Sequence, residues 1–391
     1  MKGKILALED APITKGMPVL VRADCDVAIT KGKIQDDFRI NAFLPALRLL
    51  ARRGARIRII AHRGRPGGKS DLQMSLAPVG RFLASILGRR VRFISDPLSE
   101  SVLKKYCESD DILLFENLRF WPGEENNNPT FARAIARWGE MYVNEAFADC
   151  HRLHASIVAL PRLLPSYAGP YLVAEIAALK QVMEHPARPL IAVFGGAKSE
   201  TKFPLIRRFL RDADKVLVGG ALANALFAAQ GKNVGKSSAG KVSGSARALI
   251  TNKNLALPSD VLAADALGRD AIWRVRSSDS VNTGEYIADI GPASRKMFTK
   301  IIGDAKTIVW NGPMGYAEVP AFARGTKAIA DAMRKSAGLT VVGGGDTIAF
   351  LSRRHLTRGF SHLSTGGGAM LAFLSGEKLP GIEALNNRPP A

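Results

Sequence analysis

The sequence predicts an α/β fold of two doubly wound, parallel-sheet domains, and three observations carry that prediction. Short apolar runs alternate with longer segments of helical period, the pattern of parallel sheets covered by helices on both faces. The alternation occurs twice, once on each side of a Pro/Gly-marked stretch, Leu163-Leu-Pro-Ser-Tyr-Ala-Gly-Pro170. At 391 residues the chain is also too long for one ordinary core.

In the first half the strand-like runs are Pro18 to Arg22, Ala55 to Ala61 and Val91 to Ile94. Segments of helical period, Asn41 to Ala51 and Leu76 to Leu87, separate them. Beyond the Pro/Gly stretch, Tyr171 to His185 has an apolar stripe and predicts a helix joining the domains, a natural hinge lever. The second half repeats the scheme with Leu190 to Phe194, Lys215 to Val218, Thr307 to Trp310 and Thr340 to Val342. Between Gly231 and Asn282 no clear period is legible, and the end from Leu379 to Ala391 has too many breakers for a long helix.

Composition narrows the class. Hydrophobic residues make up 47% and aromatics 7%, as in a globular enzyme. Cys25, Cys107 and Cys150 are scattered and odd in number, which argues against a disulfide framework and fits a reducing cytoplasm. Acids cut short the apolar run of the first ten residues, so no targeting segment is expected there, and no stretch is long enough to span a bilayer. The net charge of +20 makes nucleic acid a candidate partner. The arginine clusters lack interleaved aromatics for base stacking, so nucleic acid is not expected to be the main ligand.

Glycine-rich loops follow the second-half strands: Val193-Phe-Gly-Gly-Ala-Lys198, Val216-Leu-Val-Gly-Gly220, Val309-Trp-Asn-Gly-Pro-Met-Gly315, Val341-Val-Gly-Gly-Gly-Asp-Thr347 and Ser364-Thr-Gly-Gly-Gly368. At the carboxyl end of a strand such a loop can present backbone amides to phosphate. One alone is a tight turn; five in one half point to an anion site. Gly231 to Ser237 is one residue short of a P-loop, and no Gly-x-Gly-x-x-Gly occurs, so nucleotide binding must use other loops. Asp346 stands at a predicted helix start, where a carboxylate can cap the helix or help hold a Mg²⁺ carried by a nucleotide. Lys198 and Lys202 are one helical turn apart and could both face a phosphate.

The first half gathers cations instead. Val21-Arg-Ala-Asp-Cys-Asp26, Asp36-Asp-Phe-Arg39, Ala61-His-Arg-Gly-Arg-Pro66, Phe115-Glu-Asn-Leu-Arg-Phe120 and Asp149-Cys-His-Arg-Leu-His-Ala-Ser156 each place arginine or histidine near a predicted strand end. Guanidinium forks suit a small molecule with carboxylate and phosphate ends. His151 and His154 lack the spacing of a zinc site, and no Gly-x-Ser-x-Gly elbow marks a hydrolase. Two anion sites of different construction suggest two phosphorylated ligands that meet.

Nine motifs, in order along nearly the whole chain, make the sequence resemble phosphoglycerate kinases: Asp36-Asp-Phe-Arg-Ile40, His62-Arg-Gly-Arg-Pro66, Glu116-Asn-Leu-Arg-Phe120, His151-Arg-Leu-His-Ala-Ser156, Gly195-Gly-Ala-Lys198, Asp289-Ile-Gly-Pro292, Trp310-Asn-Gly-Pro-Met-Gly315, Gly343-Gly-Gly-Asp-Thr347 and Ser364-Thr-Gly-Gly-Gly368. The resemblance implies two Rossmann-like domains: a phosphoglycerate-binding domain over 1–170, with the tail from about 378 packing back on it, and a nucleotide-binding domain over 171–377. It implies a cytoplasmic, monomeric, hinge-bending enzyme of glycolysis, gluconeogenesis or carbon fixation. The partners implied are 1,3-bisphosphoglycerate or 3-phosphoglycerate and ADP or ATP with Mg²⁺. By position, Asp24, Asp26, Arg39, His62, Arg65, Arg119 and Arg152 would line the phosphoglycerate site. Gly196, Lys198, Lys202, Gly220, Asn311, Gly312, Glu318, Gly343, Gly344, Gly345, Asp346 and Thr347 would serve the nucleotide, with Glu318 on the ribose and Asp346 on the metal. Thr365, Gly366, Gly367 and Gly368 would form a phosphate loop, and Arg39 and Lys198 would stabilise the moving group.

Three positions depart from the family pattern. Asp24-Cys25-Asp26 stands where Asp-Phe-Asn is usual, adding a carboxylate to a site for a polyanion. Ala317 replaces an aromatic before the ribose-binding glutamate, and Ala221 interrupts a glycine-rich segment. The other reading of the chain is a catalytically weakened relative that acts as a basic anion- or nucleic-acid-binding protein.

Overall fold

Apolar, β-branched runs bounded by glycine, proline and charged turns form the strands. Described in the computed structural model are residues 5–196, 199–239 and 244–386. Lys198 therefore lies outside the described residues. The chain divides into two compact units, Met1–Ile176 with Glu377–Ala391, and Ala177–Gly376.

The first unit contains β1 (Pro18–Arg22), a short hairpin of β2 (Ile29–Thr30) and β3 (Lys33–Ile34), then β4 (Arg56–Ile60), β5 (Val91–Ile94), β6 (Ile112–Phe115), β7 (Met141–Asn144) and β8 (Ser166–Ala168). Apart from the hairpin, these strands form one parallel sheet of order β5-β6-β4-β1-β7-β8. Val19, Val21, Ile57, Ile59, Ile112, Leu114 and Val143 supply its buried face, packed with Phe43 and Leu47 of helix Phe38–Arg52 and Val79 and Leu83 of helix Ala77–Leu87. The connection after β1 runs to β4 on one side and the connection after β7 runs to β8 on the other, so the switch point lies where β1 and β7 pair. Not every arginine of this unit faces a ligand. Arg58, within β4 and fully buried, donates to the carbonyls of Cys107, Ser109 and Asp111 and closes the turn before β6.

The second unit contains β9 (Leu190–Phe194), β10 (Lys215–Val218), β11 (Leu255–Ala256), β12 (Asp260–Ala264), β13 (Trp273–Ser277), β14 (Tyr286–Ile290), β15 (Thr307–Asn311), β16 (Leu339–Gly343) and β17 (His362–Leu363). Its main sheet is parallel, in the order β11-β10-β9-β15-β16-β17, with its switch point where β9 and β15 pair. The two parallel sheets are the α/β architecture expected from the alternating pattern. A separate antiparallel sheet, β13-β12-β14, carries a bulge at Leu262 and Ala263. It occupies much of the stretch whose period is illegible in the sequence.

The division between units falls inside helix Pro170–Glu184. Glu145, just past β7, holds the start of that helix: its carboxylate accepts from the backbone N–H groups of Leu172 at 3.0 Å and Tyr171 at 3.4 Å. Only glycine fits at Gly169, because a Cβ there would stand 2.2 Å from Glu145 Cδ. Burial pushes the Glu145 carboxyl up to about 8, against the pull of those two N–H groups. The closing helix, Pro380–Asn386, belongs to the first unit, where the Gly381 N–H donates to the Cys150 carbonyl at 2.9 Å.

Candidate active site

The first-unit cations gather at the carboxyl ends of β1, β4, β6 and β7. Arg22 ends β1 and is fully buried. Its Nη2 lies 3.1 Å from Asp149 Oδ2 and 3.0 Å from His62 Nδ1, and its Nε donates to Ser156 Oγ at 2.8 Å. The same Asp149 carboxylate is 3.2 Å from His62 Nδ1, 3.6 Å from Arg119 Nη2 and 3.4 Å from Arg152 Nε. One buried carboxylate thus faces three arginines and a histidine. Burial opposes its ionisation, but His62 and Arg22, with Arg119, hold its pKa well below the usual carboxylate range. Glu124 supports the frame from behind, accepting from the Ser156 N–H at 2.9 Å and Ser156 Oγ at 2.6 Å.

Of the seven residues expected at this site, the structure brings together six. Arg39 Nη1 donates to Asp24 Oδ2 at 2.6 Å; burial pushes the Asp24 carboxyl up, and the Arg39 guanidinium works against that shift. Asp26 Oδ1 accepts from the Gly64 N–H at 2.9 Å, and its Oδ2 is 4.0 Å from His62 Nε2. Burial opposes ionisation of Asp26 too, but His62, the Gly64 N–H and Arg39 outweigh it and hold the carboxyl below its ordinary pKa. Arg119 and Arg152 share Asp149, while Arg65 is exposed on the loop after β4. Burial, and then the nearby Arg119, push His154 down to about 3, so its ring is neutral at physiological pH. Arg119 Nε and Nη2 and Arg152 Nε are buried and make no hydrogen bond. Each of the three nevertheless stands 3.4–3.6 Å from a carboxylate oxygen of Glu125 or Asp149, an ion pair longer than a hydrogen bond.

Asp149, Arg22 and Glu124 were not singled out from the sequence. Glu124 carries no local signal. Asp149 and Arg22 lie inside the quoted motifs, but their pairing joins positions 127 residues apart.

The second unit is built differently. Gly195, Gly196 and Gly220 follow β9 and β10, and their N–H groups donate to the carbonyls of Asn311, Pro313 and Met314. The Gly312 N–H donates to Thr347 Oγ1 at 2.8 Å, and the buried Lys202 ammonium to the Gly195 carbonyl at 2.8 Å. These loops are therefore zipped together, and their amides are already used. Anion-binding donors fall instead to two helix starts: Gly345–Arg353, after Gly343 ends β16, and Gly367–Leu374, preceded by Thr365 and Gly366. Gly368 lies in the first turn of the second of these helices.

Gly344, with φ +100°, is required between them. A Cβ there would stand 3.1 Å from Asn311 Nδ2, a buried donor with no hydrogen-bond partner. Gly367 lies beside it: a Cβ there would be in ordinary contact with Gly344 Cα, at 3.6 Å. Asp346 does not cap its helix. It is exposed in the first turn, with Gly344 at the capping position.

Beside these helix starts lies a cavity of about 380 Å³. Gly196, Gly220, Glu318 and Asp346 border it, as do Ala221 and Phe227 from helix Gly220–Ala229 and Pro258, Leu267 and Met314. Tyr316 borders it as well, an aromatic one position before the Ala317 that breaks the family pattern. Lys236 and Ser237, from the segment that imitates a P-loop, form another wall; the segment packs on β14, where Ser237 Oγ accepts from the Ile287 N–H. Asp289 also borders the cavity. Burial pushes its carboxyl up to about 7 although it accepts from the N–H groups of Gly325 and Ile290.

Among the described residues no group of three or more His, Cys, Asp or Glu could hold a metal ion. The single exposed Asp346 suits instead a hard cation that arrives on phosphate oxygens and takes one protein carboxylate. No helix is long and apolar enough to cross a membrane.

A parallel-sheet protein with a cationic pocket on one sheet and paired helix starts beside an apolar cavity on the other is of the phosphotransferase class. Comparison with known proteins narrows this. A family model described as phosphoglycerate kinase matches residues 8–377. The chain is 40% identical over 382 residues to the phosphoglycerate kinase of Herpetosiphon aurantiacus, covering 95% of this chain and 97% of that one. Solved phosphoglycerate kinases from Coxiella burnetii (TM-score 0.84, 37% identity, 98% and 99% of the two chains) and Pyrococcus horikoshii (0.88, 32%, 97% and 98%) have the same fold. The chain belongs to the phosphoglycerate kinase family.

Proposed function

We propose that this protein transfers a phosphoryl group reversibly between 1,3-bisphosphoglycerate and MgADP, giving 3-phosphoglycerate and MgATP. The observation that carries the reading is the pair of anion sites, each at the carboxyl ends of its own parallel sheet, one of oriented cations and one of helix starts. The first unit takes phosphoglycerate: the guanidinium groups of Arg119 and Arg152 bring positive charge to its phosphate or carboxylate, and Asp24 and Asp26 accept from its hydroxyl. The second takes the nucleotide, its base in the apolar cavity, its ribose against Glu318, and its phosphates at the helix starts of Gly345 and Gly367. Asp346 would hold the Mg²⁺, which supplies charge neutralisation on the phosphates when bound.

In the direction of ATP formation, a β-phosphate oxygen of ADP attacks the acyl phosphorus. The P–O bond to the carboxylate breaks, and the carboxylate leaves already ionised. In reverse the carboxylate is the nucleophile, so neither direction needs a general base. That accounts for the lack of an acid/base pair among the residues named. Charge spread over the equatorial oxygens of the moving group calls for fixed cations. Arg39 supplies one from the first unit and Lys198 the other from the second, so transfer requires closure about helix Pro170–Glu184, which also keeps water from the acyl phosphate.

The test is a coupled assay with 3-phosphoglycerate and MgATP on the native protein and on Arg39→Ala. The native protein turns over, and the variant loses two or more orders of magnitude in kcat with nucleotide KM little changed. No turnover by the folded native protein refutes the activity; unchanged kcat in the variant refutes the role of Arg39.

A further inference from the structure

Several arginines outside the two sites face an acid: Arg56 pairs with Glu108, Arg92 with Asp111, Arg137 with Glu100 and Arg188 with Asp214. One stretch of the second unit departs from that habit. Helix Arg324–Lys335 ends in Arg334 and Lys335, helix Gly345–Arg353 ends in Arg353, and Arg354, His355 and Arg358 follow on the way to β17. All six residues are exposed. Arg334 Nε donates to the Arg358 carbonyl at 2.8 Å, which joins the two segments into one patch. Among the described residues no carboxylate lies within 4.0 Å of Lys335, Arg353, Arg354 or Arg358, and Arg334 has Asp331 at 3.9 Å, shared with Lys327.

A cation in the last turn of a helix complements the helix dipole, a gain of about 0.3–1 kcal/mol. That accounts for Arg334, Lys335 and Arg353. It does not account for Arg354 and Arg358, which lie past the helix end, where crowded like charges cost stability. The segment that carries them is nevertheless well tied down. The Leu356 N–H donates to the Leu351 carbonyl at 2.8 Å, the Ser361 N–H to Thr340 Oγ1 at 2.8 Å, and the Arg354 guanidinium lies over the buried Phe350 ring, 5.4 Å from its centre. His355 takes φ +56°, a left-handed conformation uncommon outside glycine. Fixed guanidinium forks suit phosphate oxygens. Among the described residues, 334–338 and 353–361 expose no large apolar side chain, so the patch has nothing to stack on a base or to insert into a bilayer.

We propose that this patch binds the phosphodiester backbone of a nucleic-acid duplex without reading its sequence. A duplex carries one phosphate charge per about 1.7 Å of its axis, so four arginines and a lysine meet several phosphates at once. Its bases stay stacked and need no aromatic partner. The net charge of +20 adds long-range attraction. The patch lies at the amino end of the sheet, separated from the helix start at Gly345 by the length of helix Gly345–Arg353, about 13 Å. This binding is a second function and does not depend on the phosphotransfer reading.

Fluorescence anisotropy with a short labelled DNA duplex tests it. The native protein binds with a Kd of about 1–10 μM at about 50 mM salt, and log K falls against log salt with a slope of about −4, as four or five phosphate contacts require. Arg353→Gln with Arg354→Gln and Arg358→Gln weakens binding at least about tenfold and brings the slope to about −1.5, while the urea midpoint stays at the native value. Arg48→Gln with Arg52→Gln and Arg89→Gln removes the same charge from exposed positions of the first unit and leaves the Kd within about threefold.

Equal weakening by the two triple variants shows attraction by net charge alone and overturns the proposal. So does failure of the native protein to bind the duplex at low salt, or tighter binding of a single strand of the same length. Binding to phosphatidylserine vesicles that the patch variant loses, with no binding of the duplex, makes the surface a membrane contact and overturns it as well.

Discussion

Asp149→Asn removes one negative charge from the centre of the cationic pocket while keeping the shape of the side chain. Asp149 lies 3.1–3.6 Å from Arg22, His62, Arg119 and Arg152. At an effective dielectric of about 20 each arginine pair is attractive by roughly 5 kcal/mol. Desolvation of the ions and repulsion among the cations offset much of this, and breaking a buried pair from one side costs about 3–5 kcal/mol. Asparagine still accepts one hydrogen bond, which returns about 1 kcal/mol, so the expected loss is about 3 kcal/mol.

The assay is urea unfolding followed by tryptophan fluorescence, with Trp121 and Trp138 reporting the first unit and Trp273 and Trp310 the second. With a slope of about 2–3 kcal/mol/M, the first-unit midpoint falls by about 1 M and the second stays in place. Because Asp149 titrates below its unfolded value, the stability it confers is present above about pH 4 and is lost only as pH falls through the depressed value. The gap between native and variant is therefore the same at pH 7 and pH 5. A midpoint shift under about 0.2 M at pH 7, with unchanged slope, would refute the central role of this carboxylate.

Two further substitutions probe neighbouring charges. Asp26 is ionised and its side chain is 43% exposed, so its repulsion of a bound polyanion is screened to roughly 1 kcal/mol. Asp26→Asn, which keeps an acceptor for the Gly64 N–H, lowers the KM for 3-phosphoglycerate about fivefold; a raised KM would show instead that a hydrogen bond to the substrate hydroxyl outweighs the repulsion. Glu145 has a folded value raised to about 8, so it is protonated in the folded protein over a range where the unfolded chain is not. Its contribution is full below about pH 4 and is lost as pH rises toward 8. Glu145→Gln flattens that decline, and urea midpoints at pH 5 and pH 8 that fall as steeply in the variant as in the native protein contradict the assignment.

The parts of the fold that were legible follow local rules. β1, β9 and β10 have the limits that their apolar runs predict, and helix Pro170–Glu184 begins and ends one residue before the predicted segment, Tyr171 to His185. The antiparallel sheet was not legible. β13 is a half-exposed strand reading Trp-Arg-Val-Arg-Ser, and β12 and β14 pair through a bulge that spoils the alternation. Asp149 was hidden for another reason: its partners at positions 22, 62 and 119 are distant in sequence. The glycine loops were visible as loops, yet the sequence does not reveal that the Gly195, Gly196, Gly220 and Gly312 amides bond one another's segments rather than a ligand.

The two anion sites solve opposite problems. Amide dipoles at helix starts repel one another weakly, so the second-unit site needs only backbone room, supplied by Gly344. Guanidinium groups brought within a few ångströms repel strongly when buried, and without internal counter-ions the first-unit pocket would be unstable before substrate arrived. Asp149 and Asp24 are those counter-ions. The Arg119 and Arg152 donors that make no hydrogen bond stand 3.4–3.6 Å from Asp149 and Glu125, so these carboxylates hold the guanidinium groups by charge rather than by hydrogen bonds. Asp149 and Asp24 are then the condition for holding the cations together, and Asp26, the half-exposed carboxylate that departs from the family pattern, is the one whose charge the frame does not require.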